Sequence, residues 1–81
     1  MIGNKIKALL NLTSKNTYDI CNELEIMDSA YYRKIKKNTF RADELIKIAN
    51  MTNTRLAFID NETNKELIAF DEYDIHNDNL N

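Results

Sequence analysis

Arg33, Lys34, Lys36, Lys37 and Arg41 put five cations into one short stretch of an otherwise acidic chain. Cations concentrated on one side of a helix are what duplex DNA requires of a protein: charge to neutralise phosphates and donors to read base edges. Arg33 carries the planar fork that can donate two parallel N–H bonds to guanine O6 and N7, a contact giving ~1–3 kcal/mol of base discrimination. Lys36, Lys37 and Arg41 suit phosphates, because a lysine ammonium is a point charge without a fork. Ser29 and Tyr32 can hydrogen-bond or touch a thymine methyl, and Thr17 can either meet a phosphate or cap a helix. The plain alternative for the whole run is a solvated helix face. Covalent chemistry has less to work with. Cys21 is the only cysteine and His76 the only histidine. No second ligand completes a metal set with His76, and no base stands ready for Cys21 or Ser29. Asp71, Glu72, Asp74 and Asp78 lack the alternating loop with a central Gly that calcium uses. The expectation is a non-enzyme with no metal and no cofactor, Cys21 serving as a small apolar filler.

The chain that must position these groups has 81 residues, 43% hydrophobic and 30% charged, a balance for folding rather than disorder. It is one domain, and at this size only about 60% of the unfolded surface is buried, so a second copy would help cover a thin core. There is no Pro and one Gly, Gly3, which excludes collagen-like, linker-like and Gly-rich nucleotide-binding designs. The longest apolar runs, Leu56 to Ile59 and Leu67 to Phe70, are far too short to span a membrane. No signal-peptide stretch is visible, and a lone cysteine suits a reducing compartment, so a cytoplasmic protein is expected. The net charge of −2 mildly disfavours a bulk nucleic-acid binder. Its distribution does not. Residues 1–41 hold eight basic and four acidic side chains, a net of +4, whereas residues 42–81 hold three and nine, a net of −6.

Periodicity predicts a first helix over 2–12, with Ile2, Ile6, Leu9 and Leu10 on its apolar face. Asn16 or Thr17 caps a second, running to about Glu25, whose inward face is Ile20, Cys21 and Leu24. Asp28 or Ser29 caps a third, running to about Lys37, with Tyr31 and Ile35 inward and Tyr32, Arg33, Lys36 and Lys37 outward. Asn38 stops it, because Asn tolerates the left-handed conformation. Phe40 folds back as a core plug. A fourth helix runs from Arg41 or Ala42 to about residues 51–53. The period then becomes strand-like. Residues 55–59 and 65–70 flank an Asp/Asn-rich turn and predict a hairpin. Its two alternative apolar faces read as Leu56, Phe58, Leu67 and Ala69, or Ala57, Ile59, Ile68 and Phe70. Two strands alone are marginally stable, so a helix layer or a second copy must cover them. The folded domain is expected over 1–72, with a flexible acidic tail over 73–81.

Two short helices joined by about three residues, the second cationic on one face, meet the requirement for a helix-turn-helix reader. The stretch Thr17–Asp60, TYDICNELEIMDSAYYRKIKKNTFRADELIKIANMTNTRLAFID, resembles small Cro/lambda-repressor-like (Xre-type) regulators. ADELIKIA followed by LAFID is its most specific part. The resemblance extends over roughly residues 2–72. It implies a mainly α fold: a bundle of four or five helices with a C-terminal β-hairpin, binding operator DNA as a homodimer, a repressor of phage or mobile-element type. It implies core positions for Ile20, Cys21, Leu24, Ile26, Tyr31 and Ile35. It implies DNA contacts from Thr17, from Ser29, Ala30, Tyr32, Arg33 and Lys36 on the reading helix, and from Lys37, Asn38, Thr39 and Arg41 after it. The chain departs from the family's pattern at four points: Thr17 replaces Gln, Glu25 a turn Gly, Met27 a Ser/Thr cap and Asn38 a Gly. The expected dimer interface is the hairpin, through Leu56, Phe58, Ile59, Leu67, Ile68 and Phe70. The competing expectation is a protein-binding module on the same scaffold, a phage antagonist or antitoxin-like partner, motivated by the acidic second half.

Overall fold

In the computed structural model, which describes residues 1–75, stop signals cut the helical part of the chain into α1 (Ile2–Leu12), α2 (Thr17–Leu24), α3 (Asp28–Lys37) and α4 (Ala42–Met51). A two-stranded antiparallel hairpin follows, β1 (Leu56–Ile59) and β2 (Glu66–Phe70). The fold is mainly α. Ile6 and Leu10 of α1, Ile20, Cys21 and Leu24 of α2, Tyr31 of α3 and Ile48 of α4 form one buried cluster. Leu9, Ile26, Ile35, Phe40, Leu45 and Met51 pack around it. Phe40 is the plug the sequence suggests: its ring meets Tyr31 edge-on at 6.5 Å.

The apolar face of α1 differs from expectation at its start. Ile2 is exposed and Gly3 is buried in its place. A Cβ at Gly3 would lie 2.9 Å from Ile35 Cγ2 and 3.0 Å from the Ile35 carbonyl oxygen. The single glycine is therefore spent on a close approach of α1 to α3, not on a turn. The left-handed turn positions fall to other residues: Ser14, Glu25, Asn38, Asn53 and Asn64 all have positive φ.

Asn16 is the cap of α2. Its side chain accepts from the Asp19 N–H at 3.0 Å, and Asp19 Oδ2 accepts from the Asn16 N–H at 2.9 Å, a reciprocal box that satisfies two otherwise free donors. At the other end Glu25 is left-handed (φ 56°, ψ 47°). Ile26 N–H donates to the Cys21 carbonyl and Glu25 N–H to the Asn22 carbonyl, the Schellman pattern that glycine normally serves. The turn thus keeps a glycine-type geometry although Glu stands there. The start of α3 corrects the sequence reading: Met27, not Asp28 or Ser29, occupies the cap and offers no side-chain bond. Asp28 becomes the first helical residue, where its charge suits the positive helix end. Asn38 ends α3 in the left-handed conformation (φ 60°, ψ 45°), as expected.

The hairpin corrects two expectations. Leu56 pairs with Phe70, Ala57 with Ala69 and Phe58 with Ile68; a bulge then sets Ile59 against Glu66, leaving Leu67 without a partner. Paired residues share a face, so Leu56, Phe58, Ile68 and Phe70 lie together and Ala57 with Ala69 on the other side. Neither predicted face is the observed one. Register depends on turn geometry, and a slip of one residue exchanges the faces of a strand. Here Asp60 Oδ1 accepts from the Glu62 and Thr63 N–H groups, and Asn64 supplies the left-handed step. The first residues of the expected tail carry local structure. Asp71 caps a 3-10 turn over Glu72–Asp74, and Ile75 is half-buried near Ala42 and Ile46 of α4. Residues 76–81, with His76 and Asp78, lie outside the described residues.

Glu25 is exposed, so its left-handed backbone is a cost without a contact to offset it. Glu25→Gly should raise stability by about 0.5–1 kcal/mol, read as a higher urea midpoint with an unchanged slope. A midpoint that stays or falls would show that the turn carries no strain.

Candidate nucleic-acid interface

α3 is amphipathic in a way that leaves little freedom of rotation. Tyr31 is 2% exposed and Ile35 half-buried, which puts Ser29, Arg33 and Lys36 on the opposite side by the 3.6-residue repeat. Ser29, Tyr32, Arg33, Lys36 and Lys37 are all exposed, Tyr32 with its ring edge-on to Tyr31 at 5.2 Å. Ala30 is half-buried beside them. Among the described residues, Arg33, Lys36 and Lys37 lie within 4.0 Å of no carboxylate. Their charge is open to solvent or to a ligand.

Lys34, the other cation of this helix, points elsewhere. Its Nζ lies 2.9 Å from Glu44 Oε2 and 3.2 Å from Oε1. Glu44 is 7% exposed and is the third residue of α4; its Oε1 also accepts from the Arg41 N–H at 2.9 Å. One carboxylate thus caps α4 and ties it to α3. A buried carboxylate needs such partners, because desolvation without them is costly.

The residues after α3 are partly committed to the fold. Asn38 Oδ1 accepts from the Ile2 N–H at 3.0 Å, capping α1 from a distant point of the chain, since Met1 gives no side-chain cap. Thr39 is exposed and its N–H donates to the Lys34 carbonyl. Arg41 is exposed, but its guanidinium forks onto Asp43, Nε to Oδ1 at 3.1 Å and Nη2 to Oδ2 at 3.0 Å. This bond pushes the Arg41 guanidinium up and holds the Asp43 carboxyl below its usual range. A depressed carboxyl pKa means the pair is present at neutral pH and is lost only as pH falls through that depressed value. At this exposure the pair stabilises little. A phosphate at Arg41 would therefore have to compete with Asp43.

Thr17 is the first residue of α2 and half-buried; Asn16 is the cap, so Thr17 is free of that role. Thr17 and Tyr32 line one open cleft of about 420 Å³, together with Lys7 and Lys15. Those two lysines were not singled out in sequence. They lie far from the 33–41 cluster along the chain, and no spacing rule joins them to it; the only available signal is that the +4 of residues 1–41 includes them.

The expected interface residues of the hairpin divide in two. Leu56 and Phe70 are half-buried and, with Ala42, Leu45 and Ile46 of α4, line an apolar groove of about 300 Å³. Phe58, Ile59, Leu67 and Ile68 remain 52–64% exposed. Cys21 is buried in the core, where burial, and after it the neighbouring Asp28 carboxylate, push the thiol pKa up. Among the described residues no cluster of three or more His, Cys, Asp or Glu could hold a metal ion, and no helix is long and apolar enough to cross a membrane. Comparison with models of protein families, with curated proteins and with solved structures gave no match.

Proposed function

We propose that this chain is a sequence-specific DNA-binding regulator of the cytoplasm, a dimeric repressor of phage or mobile-element type, with α2 and α3 as a helix-turn-helix and α3 as its reading helix. The observation that carries the reading is the exposed set Arg33, Lys36 and Lys37, unpaired among the described residues, on the side of α3 opposite the buried Tyr31. A fixed cationic helix face of this size fits a major groove. The left-handed Glu25 supports it too, since a Schellman turn sets the angle at which α3 leaves α2. So does the resemblance of Thr17–Asp60 to Xre-type regulators. Arg33 reads a base edge, Lys36 and Lys37 hold phosphates, and Ser29, Ala30, Tyr32 and Thr39 line the contact.

On random duplex DNA, log affinity should fall linearly with log salt, since each neutralised phosphate releases counterions with a slope of about −0.9. Arg33→Ala with Lys36→Ala should weaken binding at least ~30-fold at low salt and flatten the slope by about 2, with the fold intact by circular dichroism. A wild-type protein that ignores duplex DNA at low salt would contradict the reading. It would favour the protein-binding module instead, for which the net charge of −2 and the exposed hairpin speak.

The hairpin serves the same function as the dimer contact. Phe58, Leu67 and Ile68 are apolar and exposed on a sheet of two strands, which is marginal alone. A second copy presents the same patch and needs no other partner. Sedimentation at micromolar concentration should show a dimer, and Phe58→Ser with Ile68→Ser should weaken it by at least ~10-fold. A wild-type monomer under those conditions would remove the hairpin from this role.

A further inference from the structure

We infer that the cleft between α1 and the start of α2 is a second phosphate clamp, in which Lys7 and Lys15 grip the backbone of the same duplex beyond the reach of α3. This rests on the DNA-binding reading above and adds residues and a strand contact to it. The cleft holds about 420 Å³, and its polar lining is Lys7, Asn11, Lys15, Asn16, Thr17 and Tyr32. With Leu10 and Tyr31, which also line it, the cleft holds two lysines, two asparagines, one threonine and two tyrosines, and no carboxylate. The nearest acidic group in sequence, Asp19, is engaged: its carboxylate holds the Asn16 N–H.

The cations of this cleft share the unpaired state of Arg33, Lys36 and Lys37 among the described residues. Among the described residues, Lys34, Arg41 and Arg55 are paired with Glu44, Asp43 and Glu66. Lys7 and Lys15 have no such partner and are exposed. Two lysines lining one concave space that has no carboxylate in its lining repel one another, and an anion between them relieves that repulsion. Tyr32 identifies which anion. It lines the cleft and belongs to the exposed side of α3 that also carries Arg33 and Lys36. The cleft and the reading face are therefore one continuous surface, and a duplex lying along α3 runs its backbone past Tyr32 to the lysines. The clamp carries no base information. It fixes the register of α3 along the groove, as phosphate contacts do.

Salt titrations on a random 20-base-pair duplex test this with four proteins: the wild type, Lys7→Ala with Lys15→Ala, Arg33→Ala with Lys36→Ala, and Lys5→Ala. Lys5 is exposed on α1 but lines a different groove, with Leu45, Ile48 and Leu56. The Lys7/Lys15 variant is expected to lose about 0.9–1.8 from the magnitude of the slope, according to whether the lysines share one phosphate or take two. The Lys5 variant should keep the wild-type slope. An unchanged slope in the Lys7/Lys15 variant, beside a reduced one in the Arg33/Lys36 variant, would overturn the clamp and leave the reading of α3 standing. An equal loss in the Lys5 variant would also overturn the clamp, since the effect would then be one of net charge. Absence of wild-type binding would overturn both.

Discussion

The Glu44 carboxylate ties α4 to α3 on the side of α3 away from Arg33 and Lys36. It is buried, it caps α4 through the Arg41 N–H, and it holds the Lys34 ammonium. With Lys34 drawn to that side and Tyr31 sunk between α1, α2 and Phe40, the helix has one rotational setting. Removing the carboxylate would leave a buried donor and a partly buried cation unpaired, and either is more costly than the net gain of the bond. The stripe of Ser29, Arg33 and Lys36 faces solvent on the side opposite Tyr31, while Lys34 is held toward α4.

Much of this was legible from short-range chemistry. A cap at Asn16 or Thr17, the stop at Asn38, the inward Tyr31 and the plug at Phe40 follow from capping, left-handed tolerance and apolar spacing, which act over a few residues. What escaped depends on distant partners. Asn38 caps α1 because the chain returns there, and Lys34 is neutralised from α4. Gly3 is buried because Ile35 lies against it. The hairpin register was hidden for a different reason. Both strands are apolar at nearly every position, so alternation could not choose a face, and the turn and bulge chose it. Lys7 and Lys15 join Tyr32 only through the packing of α1 on α3.

The charge of the chain fits this division. A net charge of −2 looks unsuited to a polyanion, but a protein meets DNA with one face. The first half carries the free cations of α1 and α3 and the loop before α2. Much of the acidic second half is spent on local structure: Glu44 and Asp71 cap, Asp60 builds the turn, Asp43 and Glu66 pair with arginines. The same half keeps apolar side chains exposed on the hairpin.

A titration of the isotopically labelled chain with a short duplex at low salt, followed by amide chemical shifts, tests the central claim most directly. The account predicts the largest changes along residues 29–41 and around Lys7, Lys15 and Thr17, with β1 and β2 unaffected. Changes confined to the hairpin, or no saturable change at any amide, would contradict it.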